Sequence, residues 1–285
     1  MELSGKNISS MLENIPTFSQ SVIRILELTA DIDSSAKDLV RQIAHDPILT
    51  AKVLKLVNSA YFGLSRKVDS IQQSVVYVGI NTIKSLAISV AAMGSLPQTN
   101  KAGLDMGDFW LHSLVTAVTA KLLAQRVGVS RTEISGFFIA GLLHDMGQLI
   151  FSHEQPEAYR GVLEEAKETQ RLLPDIEQEV FGLNHAALGA LLAEKWQLPA
   201  SMVEAIRHHH NLEQLGPEQI LNRVVFVANL TTKFIVGDEK QISMRGDIPD
   251  FIEPWLSTPF EEIADSLPNF EEEIDSAKVF IQLSN

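Results

Sequence analysis

The chain has 285 residues, no cysteine, and 36 acidic against 23 basic side chains, for a formal net charge of −13. That balance argues against nucleic acid and an anionic membrane surface as partners, since both need clustered Lys and Arg. Without cysteine there is no disulfide, no zinc–thiolate site and no thiol nucleophile.

The pattern is helical nearly throughout, and no sheet is expected. Residues 21–30 space Val22, Ile23, Ile25, Leu26 and Leu28 for one helix face. Ser34 or Ser35 can cap the next helix, which runs to about Ala44. Asp46-Pro47 fits an N-cap followed by Pro at the first helical position, opening ILTAKVLKLVNSAYF, which Gly63 ends. Two short helices are predicted at 70–78 and 80–95, and the polar stretch 95–107 leads to a second region.

There a helix is predicted from Asp108 to about Gln125. Residues 132–151 (TEISGFFIAGLLHDMGQLIF) are apolar all round, which predicts a central, buried helix. Residues 156–180 are charged and helical. Asn184 can cap HAALGALLAEKW, and further helices are predicted at 199–210 and 217–235. Residues 246–260 hold three prolines, and 261–275 hold seven acidic residues and no basic one, which predicts a solvated helix or flexible tail. No apolar run approaches the ~18 residues of a membrane span. The N-terminal residues carry no basic region followed by an apolar core, so a cytoplasmic location is expected.

The chemistry lies in the histidines. His112 follows Phe109-Trp110, and His144-Asp145 sits inside GLLHDMGQLIF. His185 opens HAALGALLAEKW, while His209 and His210 close VEAIRHHH. A buried carboxylate must be paired or coordinate something, because an isolated one costs several kcal/mol. A His-Asp pair alone is often a structural hydrogen bond. With histidines from three other helices, it suggests a convergent site of the kind helix bundles build around metals. Imidazole with carboxylate suits Fe, Mn, Ni or Zn. The other candidates have plainer explanations. Asp46 is accounted for as an N-cap, His153 as an exposed or capping side chain, His208 as pointing away from the site, and Trp110 and Trp196 as packing.

Several long, ordered segments together resemble the HDOD family. They are IAHDPILTAKVLKLVNSAYFGLSRKVDSIQQSVVYVGINTIKSL from Ile43 to Leu86, then DFWLHS, AGLLHDMGQL, EQEVFGLNHAALGALLAEKWQLP and AIRHHH. The resemblance extends from about Ile8 to Lys233. It implies an all-α fold in which an N-terminal bundle of short helices packs on a helical core like that of the HD superfamily. Together with the composition of the tail, this gives an expected division of 1–98 for the N-terminal subdomain, 99–240 for the core and 241–285 for the acidic tail. It also implies a role in bacterial signal transduction.

HDOD domains are similar to the HD-GYP phosphodiesterases, which use two metals. By that likeness His112 matches the early ligand, His144 and Asp145 the HD pair, His185 the histidine opening the next helix, and His209 and His210 the paired histidines. Asp145 is the catalytic candidate if the chain is active. Three departures weigh against catalysis. Gln148 stands where HD-GYP proteins have a Lys that can meet phosphate, Asn229 replaces a late ligand Asp, and NLEQLGPEQ replaces the Gly-Tyr-Pro loop. The expectation is a non-catalytic signalling module that binds protein partners or a small ligand. The alternative is a metal-dependent phosphohydrolase with a reduced catalytic set.

Overall fold

The computed structural model describes residues 5–30, 35–211, 219–236, 250 and 252–283. Among them there are helices and turns and no strand. The first group of helices is α1 (Gly5–Asn14), α2 (Gln20–Ala30), α3 (Ala36–Ala44), α4 (Pro47–Val57), α5 (Ile71–Val78) and α6 (Ile80–Ser95). Their ends follow the sequence. Ser35 accepts from the Asp38 amide, Asp46 from the Leu49 amide at 3.0 Å, and Ser70 from the Gln73 amide. α4 packs on α3, α5 and α6, burying Leu49, Val53, Leu56 and Val57.

The second group begins with α7 (Met106–Arg126), capped by Asp105, which runs through the middle of the molecule. It packs on α8 (Ile134–Leu143) and α14 (Ile220–Val236). α9 (Met146–Glu154) packs on α12 (His185–Lys195), which packs on α13 (Ala200–Arg207). The expected single helix over 132–151 breaks at His144-Asp145, where Asp145 takes φ −95° and ψ 7°. The charged stretch after it is helical as expected and forms α10 (Pro156–Thr169) and α11 (Leu173–Phe181). Against the expectation that no apolar run approaches span length, Ile134–Glu154 is long and apolar enough to cross a membrane by length and composition, but its most apolar window is 83% buried within the fold.

The two groups are joined by specific contacts. Trp196 stacks on Phe18 and donates to the Pro16 carbonyl at 3.0 Å, the packing role expected of it. The acidic tail is not a solvated appendage. Residues 252–283 form α15 (Ile252–Leu256), α16 (Ile263–Ser266) and α17 (Phe270–Ala277), and bury Phe260, Ile263, Leu267 and Phe280. Phe280 lies against Tyr61 and Phe138, and Glu273 pairs with Lys121 at 2.7 Å. Composition showed the charge of this segment but not its apolar face.

Candidate metal centre

Two close helix contacts create the site. At Gly141 of α8, an added Cβ would lie 2.8 Å from the Ala117 Cα of α7. At Gly147 of α9, it would lie 2.0 Å from the His185 carbonyl oxygen of α12. Only hydrogen fits at these crossings, so backbones meet and the histidines they carry converge on the break between α8 and α9.

All six candidate residues meet there. His112 comes from α7, His144 and Asp145 from the break, and His185 from the first turn of α12. His209 and His210 come from the turn just past α13, not from the helix itself. His144, Asp145, His185 and His209 are buried, while His112 and His210 are half-buried and form the side nearest solvent. Asp145 divides the cluster. Its Oδ1 lies 3.1 Å from His185 Nε2 and 3.2 Å from His209 Nε2. Its Oδ2 lies 3.3 Å from His144 Nε2 and 3.5 Å from His112 Nε2. The ligand atoms fall into two sets that share Asp145: one with His185, His209 and His210, the other with His112 and His144. Within each set they lie within 4.8 Å of one another.

Surrounding groups fix which nitrogen faces inward. His144 Nδ1 donates to the Gly141 carbonyl at 2.7 Å, and His209 Nδ1 to the Ile206 carbonyl at 2.6 Å. A carbonyl can only accept, so these Nδ1 atoms carry protons and Nε2 is the nitrogen that faces the cluster. His185 Nδ1 donates to Glu177 Oε2 at 2.5 Å. Glu177 is fully buried and also accepts from the His185 amide at 2.7 Å and the Tyr159 hydroxyl at 2.9 Å. A carboxylate behind a ligand histidine orients the ring and raises its basicity.

The electrostatics follow. Burial alone would raise the Asp145 carboxyl, but His144, with His185 beside it, holds it well below the usual range. Burial presses His185 downward, yet Glu177 and Asp145 outweigh it and hold the ring up at about 9. Burial lowers His112 and His209 to about 3 each, with Asp145 offsetting only part of it. Burial, with His209 beside it, also presses His210 well down.

Two atoms are left uncompensated. Asp145 Oδ1 and His209 Nε2 have no hydrogen-bond partner, although they are 3.2 Å apart. The His209 proton is committed to Ile206, so a lone pair faces a carboxylate oxygen. His210 and His185 also bring Nε2 atoms to 2.8 Å, which requires a proton or a cation between them. This donor set fits a divalent transition ion.

Of the three departures, Asn229 contacts the cluster. Asn229 of α14 places Oδ1 3.1 Å from His112 Nε2. Gln148 is half-buried in the first turn of α9. Residues 212–218 of the replaced loop lie outside the described residues. The set-aside histidines stay apart from the centre: His208 faces Glu204, and His153 lies beside Glu154 and Thr99. The sequence reading missed Glu177, Tyr159 and the glycines. The available signals were Gly147 two residues after Asp145 and Gly189 four after His185.

Comparison with known families matches residues 15–212 to the HDOD domain. The chain belongs to the HDOD family. An uncharacterized protein of Treponema pallidum (strain Nichols) is 30% identical over 268 residues, 93% of this HDOD chain but 47% of the relative. The chain thus spans about half the length of that relative. Among solved structures, a Shewanella amazonensis SB2B protein whose name proposes a phosphohydrolase is 25% identical, covers 97% of each chain and has a TM-score of 0.73. An HDOD domain protein of unknown function from Geobacter sulfurreducens is 24% identical, with a TM-score of 0.70 over 99% of each chain, and shares the fold.

Proposed function

We propose that this HDOD chain is a bacterial signalling module that acts by binding protein partners or a small ligand, without phosphoester hydrolysis. Asn229 carries the reading. Its neutral amide contacts His112 in the half of the cluster where Asp145 is the sole carboxylate. Two-metal phosphoester chemistry needs anionic ligands to hold both ions and a cation to meet the phosphate. Asn229 weakens the first requirement and Gln148 the second. A cytoplasmic location, with neither nucleic acid nor membrane as partner, belongs to the same proposal.

The residues would hold a divalent ion (Fe, Mn, Ni or Zn) through His112, His144 and Asp145, or through Asp145, His185, His209 and His210. A bound ion would supply Lewis acidity and acidify water. The chain's own part is to fix the imidazole tautomers through Gly141, Ile206 and Glu177 and to keep three of the histidines out of water.

Elemental analysis of the purified protein beside a His144→Ala variant tests the site. One or two equivalents of a transition metal, reduced in the variant, support the ligand set; a protein that takes up none after incubation leaves a polar structural core. Partner binding that survives His144→Ala with the fold intact supports the module, and its loss counts against it. A metal-dependent phosphohydrolase is the second reading. The retained set of His and Asp residues favours it, while the facing lone pairs of Asp145 and His209 speak for a bound ion under either reading.

A further inference from the structure

The molecule's net charge of −13 is unevenly spread. A surface groove of 610 Å³ lies between α4 and the loop that follows it, lined by Lys55, Arg66 and Lys67 with Asp69 as its one acid. Its floor is apolar, formed by Leu54, Leu64 and Val68. We propose that this groove docks an acidic, partly apolar segment of a partner protein. The proposal deepens the partner-binding reading given above and rests on it, but it does not depend on the histidine cluster.

The groove is built rather than incidental. The Asn58 side chain grips the loop, donating to the Val68 carbonyl at 2.8 Å and accepting from the Val68 amide at 2.8 Å. Val68 is buried beneath, and Gly63 makes the left-handed turn that brings the loop back, with φ 55°. Arg66 is held in place. Its guanidinium lies over the Tyr77 ring, 5.3 Å from the centroid, and its Nε donates to the Tyr77 hydroxyl. Lys55 and Lys67 are exposed and make no ion pair or hydrogen bond with any described residue. Two free cations and one aimed guanidinium on a rim with a single acid are complementary to carboxylates.

The apolar component selects a peptide over other polyanions. Ile48 lies one turn before Ala51 and two before Lys55, on the same face of α4, and is 73% exposed. An isoleucine so exposed beside an apolar floor gives an amphipathic segment a place for its own apolar side chains. A nucleic-acid backbone has no use for that floor. A membrane surface would need more basic residues than this rim offers, and the acidic remainder of the molecule would oppose it. An acidic peptide needs only two or three carboxylates at the rim.

The test uses the full chain and a fluorescein-labelled peptide alternating Glu and Leu, followed by fluorescence anisotropy. The expected result is saturable binding that weakens with added salt, and weakens about tenfold or more in Lys55→Glu/Lys67→Glu, since two exposed pairs are lost and reversed. A Lys37→Glu/Lys101→Glu control, carrying the same charge change elsewhere, leaves binding within about twofold. Arg66→Gln alone gives a smaller loss and serves if the double variant does not fold by circular dichroism. No binding by the Glu-Leu peptide overturns the proposal, as does binding that the rim variants leave unchanged. Variant-sensitive binding of a single-stranded oligonucleotide or of phosphatidylserine vesicles in place of the peptide also overturns it. Metal-dependent phosphoester turnover in a chain that still binds the peptide would sink the non-catalytic reading and leave the groove standing; a failed peptide with no turnover does the reverse.

Discussion

The histidine cluster and the α4 groove both gather polar side chains, but they are built in opposite ways. In the core, backbones touch at Gly141 and Gly147, and the imidazoles of His144, His185 and His209 are oriented by buried acceptors. At the groove, Lys55, Arg66 and Lys67 are exposed, and Lys55 and Lys67 make no ion pair with any described residue. Polar groups inside the core are therefore tied to stability, and those on the rim only to recognition. Substitutions should separate the two regions accordingly.

The largest effect is expected at Gly147→Ala. The new methyl meets backbone, the His185 carbonyl, which cannot move aside as a side chain could. A loss of about 3 kcal/mol in urea denaturation is expected, together with loss of metal uptake. Near-normal stability would show that α9 and α12 are not held this closely.

Next is Glu177→Gln. The carboxylate accepts three donors, and the amide would turn an NH₂ group toward one of them. About 2 kcal/mol of destabilisation is expected, with metal affinity about tenfold weaker or more. A metal titration unchanged from wild type would mean that His185 is not a ligand.

Asn229→Asp should act in the other direction. A second carboxylate beside His112 should tighten metal binding by about tenfold, at a small stability cost in the metal-free protein from its repulsion with Asp145. No change in affinity would remove Asn229 from the account of what this domain has lost. The smallest effect belongs to the groove. Lys55→Glu/Lys67→Glu should shift stability by no more than about 0.5 kcal/mol. A larger shift would mean that the rim is part of the structure and not only of recognition.

Much of the fold was legible because its signals are local. Asp46, Ser35 and Asn184 announce helix starts through their own side chains. The histidine cluster was legible as a set of residue types on successive helices. The break at His144-Asp145 was not, because an all-round apolar stretch has no periodicity to interrupt. Glu177 sits in a charged segment where nothing distinguishes a buried carboxylate from its solvated neighbours. The acidic tail misled for the related reason that net charge hides an apolar face, here ending in the buried Phe280.

On this reading the cluster keeps the form of a metal site without the complement needed for hydrolysis. It is tested most directly by measuring phosphoester turnover, over a panel that includes cyclic dinucleotides, with protein loaded in turn with Fe, Mn, Ni and Zn and with His144→Ala as control. No turnover above that control is expected for any metal. Turnover that requires the metal and disappears in His144→Ala would contradict it and make this HDOD chain a working phosphohydrolase.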